Sequence, residues 1–206
     1  MSNINIQYRN VFVHVPKTAG VSMERIRFVG GSAHQNFHFL THDPNFDPNF
    51  FTWAFVRNPY TRLASAYYYV KIRHKQLYSD FCIDPDSNFE NFIFHLDKNV
   101  LPEYFNESIE LAKGITHFYP QSYFLKSDEY KLDFIGKFEN IKQDWKYVVK
   151  RIEMKADKRG QLRDTLPHSN KTSAQKRDYM SEYTPEMKER VYDIYREDFE
   201  MFGYTK

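Results

Sequence analysis

The 206-residue chain has one cysteine, Cys82. A single thiol cannot close an intramolecular disulfide and gives too few ligands for a cysteine-based zinc centre, so a reducing compartment is the simpler setting. Long apolar runs are also missing. Nothing approaches the ~20 consecutive apolar residues of a membrane span. The opening Met1-Ser2-Asn3-Ile4-Asn5-Ile6 lacks the basic-then-apolar pattern of a secretory leader. The expectation is a cytoplasmic protein with no stable membrane insertion. Charge of one sign is not in excess either: 29 basic and 27 acidic residues leave a formal +2. No global field points to nucleic acid, and any basic site must be local.

What is present is an ordinary globular composition, 41% hydrophobic and 27% charged, with 16 Tyr and 19 Phe. Such rings fill a core first and line a sugar-binding cleft second. At this length a single domain over residues 1–206 is expected. Val11-Phe12-Val13-His14-Val15 is a strand run stopped by Pro16, which cannot continue a central ladder. The spacing of Val21, Met23, Ile26 and Phe28 predicts a short helix from Gly20, with Thr18 or Ser22 near its start and Gly30-Gly31 closing it. Residues 32–50 read as irregular. They hold His34, His38 and His42 and two copies of Asp-Pro-Asn-Phe, each with turn chemistry.

A second strand, Phe51 to Val56, ends at Arg57. Asn58 then caps, with Pro59 at the first position, a helix to about Arg73 that puts Arg62, Ser65 and Tyr69 on one side and Leu63, Tyr67 and Val70 on another. Further on, Phe89, Phe92, Ile93 and Leu96 mark one helix and Ile109, Leu111 and Ala112 a second. A third strand is expected over residues 132–136. Asn140 then caps a helix with the stripe Ile141, Trp145, Val148, Val149 and Ile152. Residues 157–177 read as a polar surface loop, and Thr184-Pro185 starts a last helix with Val191, Ile194, Tyr195 and Phe199 inward. Strands alternating with helices predict an α/β fold with a central parallel sheet covered on both faces.

Two segments carry chemistry, and both lie where a strand ends and a helix begins, the place where α/β folds bind phosphates. In His14-Val15-Pro16-Lys17-Thr18-Ala19-Gly20-Val21-Ser22 the amides at the helix start favour an anion by roughly 0.3–1 kcal/mol. Ala19 and Gly20 let a phosphate approach, and Lys17 can place its ammonium over it. The Walker A spacing is absent, so the loop is not that of a typical nucleotide kinase. In the second segment, Phe55 through Ser65, Arg57 either grips a phosphate through charge-assisted bonds, each roughly 1.5–3 kcal/mol, or forms a salt bridge at a strand end. Ser65, two turns into the helix, reaches toward the same anion. Together the pair suits a ligand with two separated anionic groups.

These residues resemble the sulfotransferases that use 3′-phosphoadenosine 5′-phosphosulfate (PAPS), in particular the carbohydrate type related to heparan sulfate 2-O-sulfotransferases and short bacterial members. The first segment is similar to their 5′-phosphosulfate loop and the second to their 3′-phosphate segment. The likeness continues, in matching order, through Asp133-Phe134-Ile135-Gly136-Lys137-Phe138-Glu139-Asn140, Leu166 to Ser173, and Tyr192 to Tyr204. It implies a P-loop-like central parallel sheet flanked by helices, and sulfuryl transfer from PAPS to a hydroxyl, most naturally of a carbohydrate, with PAP as product and no metal. Lys17 would stabilise charge on the leaving oxygen, while Thr18, Ala19, Gly20, Val21 and Ser22 hold the 5′-phosphate. Arg57 and Ser65 would hold the 3′-phosphate. Lys171 and Ser173 fall in a loop that lies close to the cofactor in relatives; as residues they read equally as solvated.

A general base must take the acceptor's proton. His34 is the first choice, His38 and His42 are rivals that otherwise bind the acceptor, and Glu24 on the first helix is a further candidate. His117 and Gln121, either side of Tyr119-Pro120, line the acceptor side or form a helix start with polar surface residues. Arg62 assists the 3′-phosphate or pairs with an acid. Two other classes stay open: a nucleotide kinase, and a non-catalytic module that binds a nucleotide or a sulfated glycan.

Overall fold

The computed structural model describes residues 3–23, 25–31, 33–73, 88–96, 115–166 and 177–206. Cys82, Glu24, Lys171, Ser173 and the helix expected around Ile109 lie outside the described residues. In chain order the elements are β1 (Ile4–Asn5), β2 (Asn10–Val13), α1 (Gly20–Met23), α2 (Phe37–Thr41), β3 (Phe51–Val56), α3 (Pro59–Arg73), α4 (Phe89–His95), α5 (Gln121–Leu125), β4 (Phe134–Lys137), α6 (Ile141–Ala156), α7 (Pro185–Ile194) and α8 (Arg196–Phe202). They fall into two compact units: residues 1–57 with 124–175, and residues 58–123 with 176–206. Among the described residues no helix is long and apolar enough to cross a membrane.

The first unit is built on a sheet of order β1-β2-β3-β4. β2 and β3 run parallel with Val13 opposite Ala54, and β3 and β4 run parallel with Val56 opposite Lys137. The expected parallel sheet is therefore present over three strands, and every residue of β2 and β3 is buried, as strands covered on both faces must be. The fourth strand differs from expectation. β1 pairs antiparallel with β2 and makes the sheet mixed. The cause is a tight reversal at residues 6–9, in which the Tyr8 amide donates to Asn5 Oδ1 and Arg9 takes a left-handed φ of 51°.

Rings fill the core beneath these strands: Phe12 stacks on Trp53 at 4.4 Å, and Trp53 meets Trp145 of α6 at 5.9 Å. Asn10 is fully buried but satisfied, its amide donating to Phe28 O and its Oδ1 accepting from Trp53 Nε1. Register between β3 and β4 is fixed by a reciprocal pair: the Thr52 amide and hydroxyl donate to Asp133 Oδ2, and the Asp133 amide donates back to Thr52 Oγ1.

Three local expectations change. α1 stops at Met23 and gives way to turns, and Gly30 does not close a helix. Gly30 instead lets the chain pass the backbone of Asn3, where an added Cβ would lie 2.3 Å from the Asn3 carbonyl oxygen. Asn140 makes no side-chain cap on α6; Asp144 replaces it, accepting from the Lys137 amide and from Asn140 Nδ2, both at 2.7 Å. In residues 157–166 the polar loop is docked rather than free, with Leu162 and Leu166 against the core and the Leu162 amide on Glu153 Oε1. The two Asp-Pro-Asn-Phe copies form matching turns: Asp43 and Asp47 each accept, on Oδ1, the amide and side-chain N–H of the Asn two residues on. In each copy the Phe amide closes the turn onto the Asp carbonyl.

The second unit is helical. α3 starts as expected, with Asn58 Oδ1 accepting from the Tyr60 and Thr61 amides, and its Tyr60, Leu63, Tyr67 and Val70 pack with α4, α7 and α8 residues in one core. Thr184 caps α7 through the Met187 amide. The single last helix expected from the sequence is two helices, broken at Tyr195. The break lets the Tyr195 hydroxyl donate to Phe118 O and brings buried Asp198 to the start of α5, where it accepts from the Gln121 and Ser122 amides at 2.8 Å. Arg62 is buried in the same unit and donates to the carbonyls of His117 and Tyr119.

Candidate active site

Because β2, β3 and β4 are mutually parallel, the residues that follow them emerge at one end of the sheet. After β2 the chain runs through buried His14, Val15 and Pro16 to Lys17 and Ala19, which both take left-handed φ values of 71° and 72°. Each such non-glycine conformation costs of order 1–3 kcal/mol and persists only where the surroundings enforce it. Here the buried Thr18 hydroxyl donates to Val15 O at 2.8 Å, and the Ser22 amide donates to Ala19 O. The alternation of φ sign across residues 17, 18 and 19 is the pattern that gathers successive N–H groups into an anion-binding concavity.

Arg57 follows β3 directly, and its Nη1 donates to Lys17 O at 3.4 Å, so the two sequence segments meet. Its guanidinium lies 4.4 Å from the ring centroid of Phe138, the residue after β4. Three neighbouring strand ends thus contribute a lysine, an arginine and the ring that supports it. His34 reaches the same place from the loop before α2. Its ring stands edge-on to His14 at 4.6 Å, and His14 is stacked on Phe12 at 5.5 Å.

The electrostatics are those of a cationic, partly desolvated cluster. Burial, and then the charge of Arg57, push the Lys17 ammonium down to about 8. Burial, then His14, then Lys17, push the His34 imidazole down to about 3, so that it is neutral at physiological pH. Both shifts oppose positive charge, and an incoming anion would relieve them.

The structure brings together Lys17, Thr18, Ala19, Gly20, Arg57 and His34 from the residues singled out in the sequence. Val21 and Ser22 lie on α1, Val21 exposed and Ser22 half-buried. Ser65 is half-buried in α3 of the other unit. His38 and His42 pair with each other on and beside α2: their rings are 4.6 Å apart, His42 Nδ1 is 2.8 Å from His38 O, and His38 Nδ1 is 3.8 Å from Asp128. His117 and Gln121 are buried among helices, the His117 ring against Tyr69, so both read as structural, as does Arg62. Two residues with evident parts had no role assigned from the sequence, His14 and Phe138. The available signals were the period-two placement of His14 with Phe12 on one strand face, and Phe138 immediately after a strand.

The profile of the Sulfotransferase family matches residues 2–205. Human (Homo sapiens) carbohydrate sulfotransferase 9 is 33% identical over 75 residues, which is 35% of this chain and 17% of that protein. No solved structure gives a significant match. With the family profile running over residues 2–205, across the same strand-end loops that carry Lys17 and Arg57, the chain belongs to the sulfotransferase family.

Proposed function

We propose that the protein transfers a sulfuryl group from PAPS to a hydroxyl, and that the acceptor is a carbohydrate. The observation that carries this reading is the meeting of Lys17 and Arg57 at adjacent strand ends, joined through Lys17 O. Two cations held so that one depresses the other form a donor set suited to an anionic nucleotide and poorly suited to a neutral or cationic one. The carbohydrate part rests on the human relative's being a carbohydrate sulfotransferase and on the family likeness.

PAPS, when bound, supplies an activated sulfuryl group and a nucleotide phosphate as leaving group. In this reading the Lys17 ammonium stabilises charge that develops on the leaving oxygen, and the loop of residues 17–20 orients the 5′ end. Arg57 holds the 3′-phosphate, its guanidinium kept in place by Phe138. Neutral His34 takes the acceptor hydroxyl's proton on a ring nitrogen; burial, then His14, then Lys17 lower its basicity, and anionic groups of the donor offset the last of these. His38 and His42 are then residues of the acceptor side.

Thermal melting with PAP, with ADP and with ATP plus magnesium tests the donor. A ligand at 100 times its dissociation constant stabilises the fold by roughly 2.7 kcal/mol. PAP should give the largest shift, and Arg57→Ala should remove most of it; a larger shift with ATP plus magnesium than with PAP overturns the reading. Transfer of labelled sulfate from PAPS, screened across candidate glycans, tests the reaction. PAP binding with no turnover on any hydroxyl acceptor would leave a binding module.

A further inference from the structure

The mechanism leaves one buried titratable ring at the centre of the site without a part. His14 is only 4% exposed. One face of its ring is stacked on Phe12, nearly parallel at 19°. Its Nε2 lies over the α-carbon of Gly20: a Cβ built there would come within 1.8 Å of Nε2 and 2.1 Å of Cδ2. A side chain at position 20 would therefore collide with the His14 ring. The remaining edge of the ring meets His34 at 4.6 Å and 67°. His14 is thus held from two directions by a strand residue and by the first residue of α1, and it presents a fixed edge to a histidine that comes from an irregular loop.

We infer that His14 is a positioning residue: its ring, wedged between Phe12 and Gly20, sets where the His34 imidazole stands over the Lys17 loop. The placement of the two rings favours this division of labour. His34 has no regular element of its own to orient it, since α2 begins at Phe37. The ring that faces it is carried by the residue directly after β2, one of the two fully buried strands, and is stacked on Phe12 of that strand. Rigid elements hold catalytic geometry more tightly than loops do. His14 also shapes the field at His34, where burial first, and then the second imidazole and the Lys17 ammonium, oppose proton uptake. The inference rests on the reading of His34 as base, and it concerns orientation of that base rather than any contact of His14 with donor or acceptor.

The test is a double-mutant cycle at positions 14 and 34, read on PAPS-dependent turnover, PAP affinity and the imidazole NMR titration of His34. In His14→Ala, kcat is expected to fall on the order of ten- to a hundredfold, the cost of a reacting group displaced by about an ångström, while PAP affinity changes by less than about threefold. The His34 titration should move up toward the ordinary histidine range. His14→Gln, whose amide can still reach toward Gly20 but offers no ring edge, should behave like His14→Ala and guards against a variant that merely fails to fold. In the His34→Ala background the His14 substitutions should cost nothing further. Wild-type turnover and an unmoved His34 titration in both His14 variants overturn the inference, and so does a loss of PAP affinity equal to the loss of kcat. Unchanged turnover in His34→Ala overturns the base reading instead, and the titration arm then reports on the ring contact alone.

Discussion

Lys17 is a lysine whose charge is conditional. With its ammonium pushed down to about 8, it is mostly protonated at pH 7 and loses its proton as the pH rises through that value. An anion on the loop restores the ordinary preference for the charged form, so PAP binding near pH 8 should take up a proton. The expected outcome is an affinity that weakens as pH rises through about 8, with a binding enthalpy that depends on buffer ionisation in calorimetry. Lys17→Arg, fixed in its charge, should lose that dependence.

Arg57 gives a second prediction at this scale, because its guanidinium is supported by the Phe138 ring. Removing the ring in Phe138→Leu should weaken PAP binding by about 0.5–2 kcal/mol, and Phe138→Tyr should retain most of it. Titration with PAP and ADP would show whether the loss falls on the 3′-phosphate, as it should. The residue types of the site were legible because lysine, small residues and arginine after strand runs are a chemical pattern. The partnerships of His14 and Phe138 were not, because they depend on which strands lie side by side.

At the scale of elements, α3 and α6 show what local sequence can and cannot announce. Asn58-Pro59 starts α3 where expected, since a cap and the amides that donate to it are three residues apart at most. For α6 the same reasoning put the cap on Asn140, but a short 3₁₀ turn over Phe138–Asn140 displaces its side chain and Asp144 satisfies the Lys137 amide instead. Asp144→Ala should therefore cost about 1–2 kcal/mol, the penalty of an unpaired, partly buried amide, and Asn140→Ala much less. Urea unfolding of the two variants decides between them. The break between α7 and α8 was invisible because the apolar period runs through Tyr195; the residue at the break donates its hydroxyl to Phe118 O, far away in sequence.

On the scale of the whole molecule, acid stability follows from the site. His34 is held down to about 3 in the folded protein, against about 6.5 in an unfolded chain. Between those values the unfolded chain binds the extra proton, so this group's contribution is intact above pH 6.5 and is lost as pH falls toward 3. His34→Asn should remove that slope, so that the variant gains on the wild type between pH 7 and pH 4.5 in urea midpoints. The parallel core strands could be read from their unbroken apolar runs. The antiparallel β1 could not, being two residues long and set by one Asn5 turn. Nor does any local pattern mark where the chain leaves one unit and returns, at residues 57 and 124 and again near 176.

The twin turns ahead of β3 have a consequence for how this sequence can change over generations. Each four-residue unit closes on itself, so a gene that lost one copy by slippage would still encode a finished bend leading into Phe51. The surviving phenylalanine would inherit the buried place of Phe50, and the ring lost would be the one that Phe46 now lays against Tyr130 and Phe37. The toll of a shorter allele would fall on the ring contacts of Phe37 and Tyr130, leaving the strand that carries Arg57 in frame.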